Sequence, residues 1–150
     1  MNGQVEAVLA ASRVLVAVSS ESLSAVDDVL GLVQFRVLVI LASRGPMDLN
    51  ALAKRMGVHP SNATRACDKL VGLGFVERGE DPSDRRRLLL APSAAGVDLL
   101  ESVSEHRRDA IRQVVAKMTP QSRRHLEQVM TDFAAAGDEL PTDQWSGLLT

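Results

Sequence analysis

A mainly α-helical fold with one small β-hairpin is predicted by three features of this 150-residue chain. Apolar residues recur at helical spacing over most of its length. One stretch, from Phe75 to Ala91, switches instead to the alternation of strands around a Gly/Pro/Asp-rich turn. Gly57, Pro60, Pro120 and Gly137 stand where one periodic segment ends or the next begins. The length suits one domain, and with 45% apolar and 24% charged residues the chain has the make-up of an ordinary globular core.

The elements follow in order. Residues near 3–24 form a first helix with Val5, Val8, Leu9, Leu15 and Val16 on or near one face. A break from Asp27 to Gly31 precedes an apolar, buried helix from Leu32 to Ala42. Asp48 is an N-cap for a short helix whose Leu49, Leu52, Ala53 and Met56 form an apolar stripe. Gly57 ends that helix, because glycine enters the left-handed C-cap without strain. Pro60 suits the first turn of a second helix, which runs to Gly74 and turns Ala63, Ala66, Cys67 and Leu70 inward. Phe75 to Arg78 and Arg85 to Ala91 are hairpin strands joined by the turn GEDPSD, with Arg85, Arg86 and Arg87 at the tip. A long helix from Ser93 to Met118 carries Val97, Leu100, Ile111 and Val114 in phase. Thr119 and Pro120 open a last helix with Leu126, Val129, Met130 and Phe133. A tail follows, covering residues 137–150 and marked by Gly137, Pro141 and Trp145.

Two short helices across a tight turn, followed by a basic hairpin, make a winged helix-turn-helix, whose second helix enters the DNA major groove. The outer face of that helix offers Ser61, Asn62, Thr64, Arg65 and Lys69. Asn62 and Arg65 are the expected base readers, since asparagine pairs with adenine and arginine with guanine. Ser61, Thr64 and Lys69 are expected on phosphates. At the wing, Arg86 is expected in the minor groove with Asp84 holding its guanidinium, and Arg85 and Arg87 on phosphate or in solvent. His59, just ahead of the helix, reads equally as a phosphate contact or a plain turn residue.

The run HPSNATRACDKLVGLGFVERGEDPSDRRRLLLAPSAAG, from His59 to Gly96, resembles the MarR family of winged helix-turn-helix transcription regulators. Thr64, Arg65, Leu70, Gly74, Arg78, Asp84, Arg86 and Gly96 match its pattern of recognition helix, Glu-Arg strand end, D-x-R wing and glycine-bearing long helix. QFRVLVILASRGP, from Gln34 to Pro46, is similar to the helix that precedes the family's helix-turn-helix. Pro92 and Ser93 replace the usual Leu-Thr, Gly31 stands where a capping Thr is usual, and Leu73 replaces a charged residue.

The resemblance implies a single domain over residues 1–150, with a winged core at about 32–92 and dimerisation helices at about 3–24 and 93–136. It further implies a homodimer on a pseudo-palindromic double-stranded operator, acting as a repressor, and a small-molecule effector between dimer helices and winged core. Arg13, Arg36, Arg107 and Arg108 are the available partners for an anionic effector. The alternative is a winged-helix protein-interaction module without DNA binding.

Charge is distributed to suit the first reading. The chain carries −2 overall, yet residues 50–90 hold eight basic and five acidic side chains, a net of +3. A single cysteine excludes an intrachain disulfide and a cysteine-cluster metal site, and the phase of Cys67 makes it a core residue. His59, His106 and His125 lie on different elements, so no metal or other cofactor is expected. No nucleophile–base pair or phosphate-cradling loop points to an enzyme. Neither a signal sequence nor an apolar stretch of about 20 residues is evident, so a cytoplasmic protein without membrane contact is expected.

Overall fold

A computed structural model describes residues 1–145. The elements run α1 (Asn2–Ser24), α2 (Leu32–Arg44), α3 (Leu49–Met56), α4 (Pro60–Gly72), β1 (Val76–Asp81), β2 (Asp84–Pro92), α5 (Ala94–Ala116) and α6 (Pro120–Ala136), with a short 3-10 turn at Thr142–Gln144. The boundaries follow local chemistry. Asp48 Oδ1 accepts the Ala51 N–H at 2.8 Å and starts α3, and Gly57 closes it in the left-handed region at φ 66°. Ser93 and Thr119 cap α5 and α6 in the same way, accepting from Gly96 and Ser122. Gly31 has no side chain to offer, and the Gln34 Oε1 accepts its N–H instead.

The core is centred on α2, whose Phe35, Val37, Leu38, Ile40 and Leu41 are all buried. Around it close Leu52 of α3, Ala66, Cys67 and Leu70 of α4, Val76 and Leu90 of the hairpin, and Leu99, Leu100 and Val103 of α5. Cys67 is fully buried, and burial pushes its thiol up to about 11, as its helical phase implies. A backbone bridge between Met47 and Leu90 ties the base of the wing to the segment entering α3.

Two regions stand apart from that core. As far as its sixteenth residue the chain leaves Val5, Val8, Leu9, Val14, Leu15 and Val16 of α1 exposed, and only Val18, Ser22 and Leu23 are buried near the helix end. α6 buries no side chain at all, and Phe133 is 54% exposed. By length and composition α1 is apolar enough to cross a membrane, with a mean hydropathy of 1.3, although Glu6, Arg13 and Glu21 interrupt it about every two turns.

The segment after α6 is more than a tail. Glu139 pairs with Arg36 at 3.0 Å, and Asp138 faces Arg44 at 3.5 Å and Arg55 at 3.7 Å. Trp145 lies half-buried against the core and donates its indole N–H to the Leu140 carbonyl. Residues 146–150 of the expected tail lie outside the described residues.

Candidate nucleic-acid interface

α4 begins with His59 as its N-cap, the ring Nδ1 accepting from the Ser61 N–H at 3.2 Å and lying 2.8 Å from the Ser61 hydroxyl. His59 therefore has a definite structural role at the head of the helix. Asn62 and Arg65 are exposed on the face opposite the buried Ala63, Ala66, Cys67 and Leu70, and neither side chain has a partner among the described residues. The Thr64 hydroxyl donates to the Pro60 carbonyl at 2.9 Å. Lys69 is engaged elsewhere: its Nζ donates to the Val29 carbonyl at 2.8 Å, across the break between α1 and α2. Asp68, also on the outer face, pairs with Arg78 of β1 and ties α4 to the hairpin.

The wing departs from its expected outline. Its strands run further than expected, to Asp81 and from Asp84, so the turn is only Pro82 and Ser83. The ladder is regular from Val76↔Pro92 to Glu80↔Leu88, then jumps to Asp81↔Asp84. Arg85, Arg86 and Arg87 are therefore not at the tip but in a bulge of β2 that has no partner residues on β1. A bulge frees residues from the ladder and re-aims their side chains.

Within that bulge the roles divide. Asp84 Oδ1 accepts the backbone N–H of Arg86 at 3.0 Å, so it shapes the backbone and does not hold the guanidinium as expected. Arg85 and Arg86 are exposed and have no ion-pair partner among the described residues. Arg87, expected on phosphate or in solvent, instead pairs with Asp48 at the head of α3 and faces Asp81 at 3.7 Å. The Ala51 N–H and then the Arg87 guanidinium hold the Asp48 carboxyl below its ordinary range, and Asp48 in turn raises Arg87.

A separate feature lies behind the interface. Phe35, Arg36, Val39, Arg107 and Trp145 line a cavity of about 410 Å³ between α2, α5 and the C-terminal segment. A second, of about 400 Å³, opens toward α1 at Leu15 and Val16 and shares Phe35, Arg36, Val39 and Arg107. The Arg107 guanidinium lies 5.1 Å from the centre of the Phe35 ring, and its Nε is buried without a hydrogen-bond partner among the described residues. Burial lowers the Arg107 pKa. Among the described residues, no group of three or more His, Cys, Asp or Glu side chains is placed to hold a metal ion.

Comparison with known proteins bears directly on this arrangement. The model of the MarR family matches residues 30–88, from the head of α2 through the wing. An uncharacterized HTH-type transcriptional regulator of Mycobacterium bovis is 32% identical over 108 residues, which cover 72% of this chain and 76% of that one. The chain belongs to the MarR family. Membership makes it a transcription regulator and not an enzyme. The transcriptional repressor MprA of Escherichia coli K12 is 27% identical over 111 residues, covering 73% of this chain and 63% of the repressor. The crystal structure of RV1404 from Mycobacterium tuberculosis superposes with a TM-score of 0.88 at 41% identity, covering 94% and 96% of the two chains. Wild-type MarR from Escherichia coli shares the fold at a TM-score of 0.70 and 24% identity, covering 85% of this chain and 94% of that one, with α4 as the second helix of the helix-turn-helix and β1–β2 as the wing.

Proposed function

We propose that this MarR-family protein is a cytoplasmic, dimeric repressor that binds a pseudo-palindromic duplex. The carrying observation is the division of its polar side chains. Asn62 and Arg65 on α4, with Arg85 and Arg86 on the wing, are exposed and their side chains have no partner among the described residues, whereas Asp68, Lys69, Arg78 and Arg87 are held by other parts of the fold. Asn62 and Arg65 are assigned to base edges, and Ser61 and Thr64 to phosphates. Arg86 is assigned to the minor groove and Arg85 to the backbone. Lys69 reaches a phosphate only by leaving Val29, so it ranks below the others.

Dimerisation is supported by the uncovered helices. A helix such as α6 gains most of its stability from packing an apolar face, yet Val129, Met130 and Phe133 remain exposed, as does the first half of α1. A second copy would cover both and would set two recognition helices one turn of DNA apart, roughly 34–36 Å. Repression is the reading favoured by the similarity to MprA. Release by a small anionic effector is supported by the cavity at Phe35, where the buried Nε of Arg107 has no hydrogen-bond partner among the described residues.

The test is DNA binding by fluorescence anisotropy, on a duplex selected from a random pool by the full-length protein. Binding should weaken linearly in log salt as counterions are released. Arg65→Ala should cost about 1–3 kcal/mol and relax preference at one base pair in each half-site. A loss uniform across all sequences would reassign Arg65 to a phosphate, and failure to select any duplex would overturn the DNA reading.

A further inference from the structure

The three arginines of the wing bulge invite one common role, but their surroundings separate Arg87 from the other two. Asp48 divides its carboxylate between two elements: Oδ1 accepts the Ala51 N–H and caps α3, while Oδ2 takes the Arg87 Nη2. Asp81 does the same at the turn of the wing. Its Oδ1 accepts both the backbone N–H and the hydroxyl of Ser83, and its Oδ2 faces Arg87 Nη1 at 3.7 Å. Each carboxylate therefore spends one oxygen on its own turn and presents the other to the same guanidinium.

Three physical points give that arrangement weight. Arg85, Arg86 and Arg87 have no register partners on β1, so side-chain contacts help to orient them. The contact spans 39 positions of sequence and joins the wing to the head of the helix-turn-helix, adding a charged contact outward of the neighbouring Met47–Leu90 backbone bridge. A planar guanidinium can meet two carboxylates at once through its two ends, which a lysine ammonium on a flexible stem does far less well.

We propose that Arg87 is a positioning residue, clamping the bulged wing to Asp48 and Asp81 so that Arg85 and Arg86 are presented to DNA at a set distance from α4. The inference rests on the DNA-binding reading and deepens it: Arg87 acts through its neighbours and does not itself touch the duplex.

The sign of the effect at Asp48 tests this. Asp48→Asn keeps an N-cap oxygen for Ala51, because asparagine caps as well as aspartate, and removes only the charge facing Arg87. With a clamp, Asp48→Asn loosens the wing and weakens binding to the selected duplex, by about 1.5- to 5-fold for each wing engaged. Arg87→Gln should weaken it comparably, and the double variant should bind no worse than the poorer single one. Arg87→Lys should fail to restore wild-type affinity, and urea unfolding midpoints at neutral pH should show every variant folded.

If Arg87 is an ordinary phosphate contact, removing the charge of Asp48 tightens binding, the effects of the two substitutions are independent, and Arg87→Lys binds like the wild type. Any of those three results overturns the proposal. A wild-type protein that selects no duplex overturns it too, together with the DNA reading, and does so before any variant is made.

Discussion

Gly96→Ala is a single methyl group placed where the fold is tightest, and its cost follows from the geometry. Gly96 lies in the first turn of α5, which is laced to the end of the recognition helix: the Ser93 N–H donates to the Phe75 carbonyl at 3.0 Å, and the Ser93 hydroxyl donates to the Gly74 carbonyl at 2.5 Å. A Cβ on Gly96 would lie 2.1 Å from that same Phe75 oxygen, 3.1 Å from its carbon and 3.3 Å from Leu38 Cδ2. A backbone oxygen cannot swing aside as a side chain can, so α5 and the turn after α4 must part by about 1 Å. Overpacking of this kind costs roughly 1–3 kcal/mol. Loss of the Ser93–Phe75 hydrogen bond adds roughly 0.5–1.5 kcal/mol. Alanine returns about 1 kcal/mol of helix propensity, leaving a net loss of about 0.5–3.5 kcal/mol. For a domain of this size that lowers Tm by roughly 1–14 °C. Urea and thermal unfolding at one fixed protomer concentration would measure it, with Gly3→Ala, where nothing lies within 4 Å, as a control expected to be neutral or stabilising. A Gly96→Ala protein as stable as the wild type would refute the close approach of α5 to the Gly74–Phe75 turn.

Four further outcomes are expected. Cys67, its thiol pushed up to about 11 by burial, should resist alkylation at pH 8 in the native protein and react once urea unfolds it; rapid native labelling would contradict its place in the core. Phe133→Asp should convert the proposed dimer to a monomer in light scattering, since Phe133 is 54% exposed on a helix with no buried side chain; an unchanged mass would remove α6 from the interface. Asp84→Ala should weaken DNA binding by releasing the Arg86 N–H, while Asp84→Asn should preserve it; tighter binding by the alanine variant would reduce Asp84 to a charge repelling phosphate. The Asp48 and Asp81 carboxyls are both depressed, so the stability they lend is present above the ordinary carboxylate value of 3.8 and is lost as pH falls below it. Urea midpoints between about pH 5 and pH 2 should therefore fall less steeply for Asp48→Asn than for the wild type.

What this sequence determined by itself is local. Asp48, Gly57, Pro60, Ser93, Pro120 and Thr119 mark their helix ends because a cap is a contact between residues two to four positions apart. The inward phase of Cys67 with Ala63, Ala66 and Leu70 is likewise legible, since 3.6 residues per turn assigns a face before any partner is known. The family pattern carried the order of helix, turn, helix and wing. Only the tertiary structure decided which polar side chains remain free. Arg85, Arg86 and Arg87 are identical as letters, yet a bulge in β2 and a carboxylate 39 positions upstream engage Arg87 and leave its two neighbours without an ion pair among the described residues. Lys69 shares the outer face of α4 with Arg65, but a carbonyl 40 positions away, Val29, takes its ammonium. The segment from Gly137 to Trp145 read as a tail because its anchors, Arg36, Arg44 and Arg55, lie on α2 and α3 at the other end of the chain. Spacing along a chain fixes which face a side chain occupies, but which charge meets it there depends on how distant elements pack.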